Sequence, residues 1–167
     1  NRFANQIFNL LFIGLLILIL IIEIFMPIFV GLIAPGFNQN IEKIKLAIDL
    51  TRITFPFLMF VSLSSFFSAI LNSHNKFAAA SATPIILNII LILVLLFGKY
   101  LSDQLVYYLS YAVTFAGLIQ LIFLIFFVKK YFIPKISFNF KNNKKTNLFF
   151  KKLFPSIFSS GVTQINI

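Results

Sequence analysis

Few side chains in this sequence have the chemistry to act. Its four acidic residues, Glu23, Glu42, Asp49 and Asp103, lie far apart, which leaves little for a carboxylate-pair mechanism. There is no cysteine, so thiolate metal sites, disulfides and cysteine nucleophiles are excluded. No Gly-rich phosphate loop, nucleophile elbow or zinc motif occurs, and neither a cofactor nor a metal centre is expected. The single histidine, His74, falls in a short loop and reads as a solvated residue rather than a ligand. An enzyme is therefore not the expectation. Four features remain to be placed: Glu23, the pair Asp49 and Arg52, a polar stripe near the C-terminal end, and a cluster of lysines.

Glu23 lies inside an apolar run from about Leu10 to Ile33, near mid-depth if that run crosses a bilayer. A charged group there costs several kcal/mol. Pro27, four residues on, removes the amide that would have bonded the Glu23 carbonyl. Glu23 is thus either a proton or cation site at a kink, or a carboxyl kept protonated or hydrogen-bonded to a neighbouring helix. Asp49 and Arg52 are spaced i,i+3 just before the next apolar run and read as a boundary ion pair that anchors it. On a helical wheel Ser156, Ser159, Ser160, Thr163 and Gln164 share one broad face, more polar than lipid contact allows. Ser156, Ser160, Thr163 and Gln164 are therefore candidates for lining a wet cavity, the alternative being hydrogen bonds between helices.

The lysines orient the rest. Lys129–Lys152 holds eight of the fourteen Lys and Arg residues and no acid, between two strongly apolar runs. The whole chain is 60% hydrophobic, 11% charged and has a mean hydropathy of +1.00. Soluble domains carry about 25% charged residues, so this composition belongs to a multi-span α-helical membrane protein. Short alternating strands of the barrel kind are not visible. The net charge of +10 is concentrated in loops, which argues against nucleic acid and for contact with anionic lipid headgroups.

Four spans follow in order. The first covers about Leu10–Ile33 and stops at Ala34-Pro35-Gly36-Phe37. Asn38–Ala47 reads as a brief interfacial helix, with Ile41, Ile44 and Ile48 at helical spacing, leading into a second span of about Ile53–Leu71. Ser62, Ser65, Ala69 and Asn72 form a seam of small and polar groups on it, expected to pack closely against another helix. The third span, about Ala78–Phe97, begins with small residues, carries Ala80, Pro84 and Asn88 on one face, and then turns uniformly aliphatic. The fourth, about Leu105–Val128, opens with Tyr107, Tyr108 and Tyr111 as an interfacial belt. Ser110, Thr114 and Gly117 line one side of it, with Gln120 at the edge. Placing Lys129–Lys152 in the cytosol puts ten basic residues inside and four outside, which fixes the direction of every span.

The run from Ala47 to Ile89 resembles the fourth and fifth helices of the MurJ/MviN family of lipid II flippases. The landmarks are Arg52-Ile53-Thr54-Phe55-Pro56, Ile70-Leu71-Asn72-Ser73, Lys76-Phe77, and Pro84 with Leu87-Asn88. Ala34-Pro35-Gly36-Phe37 resembles the turn that closes the family's third helix. Pro134-Lys135-Ile136-Ser137-Phe138, and Pro155 with Val162-Thr163-Gln164-Ile165, resemble the approach to its seventh. The resemblance implies an all-α polytopic bundle that forms part of a two-lobe exporter fold. Residues 1–128 would be helices three to six of the first lobe, 129–152 the basic cytoplasmic connection, and 153–167 the truncated start of the second lobe. It implies a multi-pass protein of the bacterial cytoplasmic membrane that moves an undecaprenyl-diphosphate-linked peptidoglycan precursor by alternating access. The family's cavity arginines belong mainly to helices outside this stretch, so Arg52 is not counted among them, and Glu23 departs from the family pattern. The competing expectations are a related exporter of another lipid-linked glycan, a cation-coupled drug antiporter, or a membrane scaffold without a transport cycle. Beginning at Asn and ending within an apolar pattern, the chain also reads as part of a longer protein that would melt broadly on its own.

Overall fold

The structure, a computed structural model, describes residues 2–98 and 104–136, together with Leu148, Lys151, Pro155 and Ser156. Six helices run α1 (Arg2–Ile24), α2 (Met26–Ile33), α3 (Ile41–Thr54), α4 (Phe57–Ser73), α5 (Phe77–Gly98) and α6 (Leu105–Val128), with a 3-10 turn at Pro35–Gln39 after α2. Among the described residues there is no strand. Among the described residues four helical stretches are long and apolar enough to cross a membrane: α1, the run Ile41–Ser73 formed by α3 and α4, α5, and α6. The all-α membrane bundle expected from composition is the fold observed.

The chain divides into two compact units, Leu11–Ile133 on one hand and Asn1–Leu10 with Pro134–Ile167 on the other. In the larger unit α6 is the central helix, packed against α4, α5 and α3, while α2 packs on α3. The core consists of Ala116, Leu121, Leu124 and Val128 from α6 meeting Leu63, Phe67 and Leu71 from α4. Phe132 closes its lower end against Phe66 and Phe67, with ring centroids 6.0 and 6.5 Å away. At Gly117 the side chains of Phe57 and Phe60 press against the α6 backbone. A Cβ added there would stand 2.5 Å from the Phe57 ring and 3.2 Å from Phe60 Cβ, so only glycine permits this approach. In the smaller unit the peptide of Lys135 is held by two asparagines of α1. Asn5 and Asn9 each donate to the Lys135 carbonyl at 2.9 Å, and the Lys135 amide donates to Asn5 Oδ1 at 2.7 Å.

Several boundaries differ from the sequence expectation, each for a local reason. The first span starts at Arg2 rather than Leu10 because Asn5, Gln6 and Asn9 are helical, two of them satisfied by Lys135. It breaks at Phe25, and Pro27 sits in the first turn of α2. The expected brief interfacial helix is a full 14-residue helix reaching Thr54. Asn40 starts it by accepting from the amides of Glu42 and Lys43 at 3.1 Å, and Glu42 in its first turn suits the helix dipole. α4 ends where Asn75 takes a φ of 58°, letting the Lys76 amide turn back to the Leu71 carbonyl at 2.9 Å. The third and fourth spans lie within a residue of where hydropathy put them.

The small-residue seam of the second span takes the opposite side from the expected one. Ser65, Ala69 and Asn72 are exposed, and α4 instead buries Leu63, Ser64, Phe67 and Leu71. Close packing with α6 is carried by Gly117 and Ala116 on the partner helix, so α4 can offer large side chains. On the aliphatic half of α5, Ile89, Ile92, Leu93, Leu95 and Leu96 are exposed, as a lipid-facing surface should be.

Candidate functional site: broken spans and their polar ties

Three prolines lie within the spans, Pro27 and Pro56 where one helix stops and the next starts and Pro84 inside an unbroken α5, and each removes an amide that lipid cannot replace. At Pro84 the lost partner is that of the Ala80 carbonyl, and the Thr83 hydroxyl donates to it at 2.9 Å. Gln120, buried on α6, reaches the same turn and donates its Nε2 to the Thr83 carbonyl at 2.7 Å. At Pro56 the α3–α4 junction opens, and the Thr114 hydroxyl of α6 donates to the Ile53 carbonyl. Thr51 and Thr54 back-bond to Ala47 and Leu50 at 2.6 and 2.9 Å in the turn before it. α6 thus supplies polar side chains to the broken turns of both neighbouring spans. The sequence places Ser110, Thr114, Gly117 and Gln120 along α6 but gives no sign that Thr114 and Gln120 bind carbonyls beside prolines, whereas Ser110 bonds the Val106 carbonyl of its own helix.

The third break carries the intramembrane acid. The Phe25 amide bonds the Ile21 carbonyl, and the amides of Ile28 and Phe29 both turn to the Phe25 carbonyl, each at 3.0 Å. Glu23 is half-buried just before this break. Counted from Leu11 at 1.5 Å per residue it lies about 18 Å along the helix, past the middle of a core of about 30 Å. The guanidinium of Arg52 is close enough for its charge to act on the Glu23 carboxyl. Phe29 and Phe55, edge to face with centroids 5.8 Å apart, bring the two broken spans together near these groups. Asp49 and Arg52 stand on one face of α3, and among the described residues no salt bridge joins them.

The remaining candidates are placed as follows. His74 is exposed at the end of α4, its Nδ1 2.9 Å from the Ile70 carbonyl and its ring 4.5 Å from that of Tyr131. Ser156 is helical and exposed, whereas Ser160, Thr163 and Gln164 lie outside the described residues. Of the basic connection, Lys129, Lys130, Lys135 and Lys151 are exposed, and Lys129 caps α6 with its ammonium 4.2 Å from the Phe126 ring centre. Lys141, Lys144, Lys145 and Lys152 lie outside the described residues. An open groove of about 780 Å³ runs between α5, α6 and the start of α4, walled by Phe60, Leu93, Phe97, Tyr111 and Phe115. Its walls are almost entirely apolar, so hydrocarbon is the only chemistry they complement. No group of three metal-ligating side chains exists among the described residues.

A protein-family profile described as "Lipid II flippase MurJ" matches residues 1–167, the whole chain. The chain is 37% identical over 168 residues to a probable lipid II flippase MurJ of Rickettsia prowazekii (strain Madrid E), covering 100% of this chain and 33% of that protein. It is 37% identical over 173 residues to the probable lipid II flippase MurJ of Rhizobium tropici, covering 100% and 32%. A lipid II flippase MurJ of Burkholderia cenocepacia is 27% identical over 139 residues, covering 81% and 27%. The chain therefore spans about one third of the length of the curated relatives it matches. With its four apolar spans it is a multi-pass protein of the bacterial cytoplasmic membrane. The match runs from end to end, and the chain belongs to the MurJ lipid II flippase family.

Proposed function

We propose that this chain is the first-lobe wall and inter-lobe connection of a transporter that flips lipid II across the cytoplasmic membrane by alternating access. The observation that carries this reading is the family match along all 167 residues, on a chain with four membrane-length helical stretches. Such a cargo needs a cavity polar enough to shelter a pyrophosphate and sugars while its lipid tail stays in the bilayer, and two lobes that open it to one face at a time. Residues 1–128 serve as helices three to six of the first lobe, 129–152 as the basic cytoplasmic connection, and 153–167 as the start of the second lobe. The connection's lysines hold anionic headgroups, each worth about 1 kcal/mol near the surface. Ser156, Ser160, Thr163 and Gln164 line the cavity from the second-lobe side.

Glu23 acts as the ionisable group inside the membrane, with Arg52 as the cation that answers it; Asp49 and Arg52 mark the membrane boundary on α3. The work is transport rather than bond chemistry. Depleting the full-length protein in cells that hold no second flippase tests the assignment. Lipid-linked precursor should accumulate on the inner leaflet and the cells should lyse. Unchanged export of precursor after depletion would remove the assignment.

A further inference from the structure

The three proline turns are not held alike. Those at Pro56 and Pro84 each receive a hydrogen bond from a side chain of α6, Thr114 to the Ile53 carbonyl and Gln120 to the Thr83 carbonyl. At Pro84 the Thr83 hydroxyl also restores the bond that the ring removes from Ala80. At the break before Pro27, among the described residues, no side chain of another helix donates to the carbonyls of Glu23 or Ile24. Ile24, Phe25 and Ile28 face outward, 71%, 53% and 61% exposed, while Met26 between them is buried. A proline turn with a carbonyl bonded by a neighbouring helix has one preferred angle, because bending would break that bond in a medium that offers no replacement. A turn without that bond has no such penalty.

We infer that Thr114 and Gln120 are positioning residues that lock the bends at Pro56 and Pro84, so that this wall flexes only at the Phe25–Pro27 break. α2 then moves against α1 while α4, α5 and α6 travel as one body. That this wall belongs to a flippase rests on the function proposed above; the hinge itself does not.

Paired spin labels in the full-length protein, reconstituted in lipid, test it. The pairs are Leu46→Cys with Ser65→Cys across Pro56, Phe77→Cys with Leu96→Cys across Pro84, and Ile17→Cys with Ile33→Cys across Pro27. The first two pairs should give narrow distance distributions and the third a distribution roughly twofold broader. Thr114→Val should broaden the first pair and Gln120→Met the second, whereas Thr114→Ser, which keeps the hydroxyl, should restore the first. Pro27→Ala, which returns the missing amide to the Glu23 carbonyl, should narrow the third. The inference is overturned if the pair across Pro27 is as narrow as the others, or if removing both donors leaves the first two unchanged. A protein that failed to move lipid II would still give these distances, so the two readings fail separately.

Discussion

α5 and α6 are spans of 22 and 24 residues, both strongly apolar, and they pack side by side. Yet α5 buries only Gly98, while α6 buries eight residues from Ser110 to Val128. Apolar content does not separate them. What differs is the placement of small and polar groups: Ser110, Ala112, Ala116, Gly117 and Gln120 run down one side of α6, whereas α5 is aliphatic from Ile89 to Leu96. In a bilayer, Ile and Leu gain nothing by leaving lipid for protein, so close approach and hydrogen bonds decide which helix becomes central. α6 has both and α5 has neither beyond its first turns.

The sharpest way to break this comparison is to fill the close approach. Gly117→Val should cost about 3 kcal/mol in a detergent unfolding titration of the full-length protein, because the new side chain overlaps the Phe57 ring. Next in size, Leu124→Ala removes a side chain with 0% exposure and should lower stability by about 2 kcal/mol through the cavity it leaves. Gln120→Met keeps volume but deletes the donor to Thr83, for an expected loss of about 1 kcal/mol in the same titration. Smallest of all, Ile92→Ala on the exposed face of α5 should change stability by less than about 0.5 kcal/mol. If Ile92→Ala weakened the protein as much as Leu124→Ala, the two helices would not differ in the way claimed here.

How much of this could be read from the sequence depended on whether the cause was local. The extents of α5 and α6 follow from apolar runs bounded by polar turns, so both were legible. The start of α1 was not: Asn5 and Asn9 look like a polar leader until Lys135, far along the chain, supplies their partner. The Ile41, Ile44 and Ile48 spacing announced α3, but its length depended on how Pro56 was accommodated. On α4 both the Ser62–Asn72 seam and the Leu63–Leu71 face carry helical periodicity, and only the glycine on α6 chooses between them. Prolines 27, 56 and 84 were visible as points of bending. Which of them are fixed was not, because the acceptors are main-chain oxygens that have no letter in the sequence. The proximity of Arg52 to Glu23 was hidden in the same way, by a helix break that swings one span towards another.

Movement of labelled lipid II across sealed vesicles containing the full-length protein tests the function and the role of the α6 ties together. Precursor loaded on the cytoplasmic face should become accessible to a membrane-impermeant probe on the other face, quickly with the native chain and more slowly with Thr114→Val or Gln120→Met. Equal accessibility in vesicles with and without the protein, under an imposed membrane potential, would contradict the account.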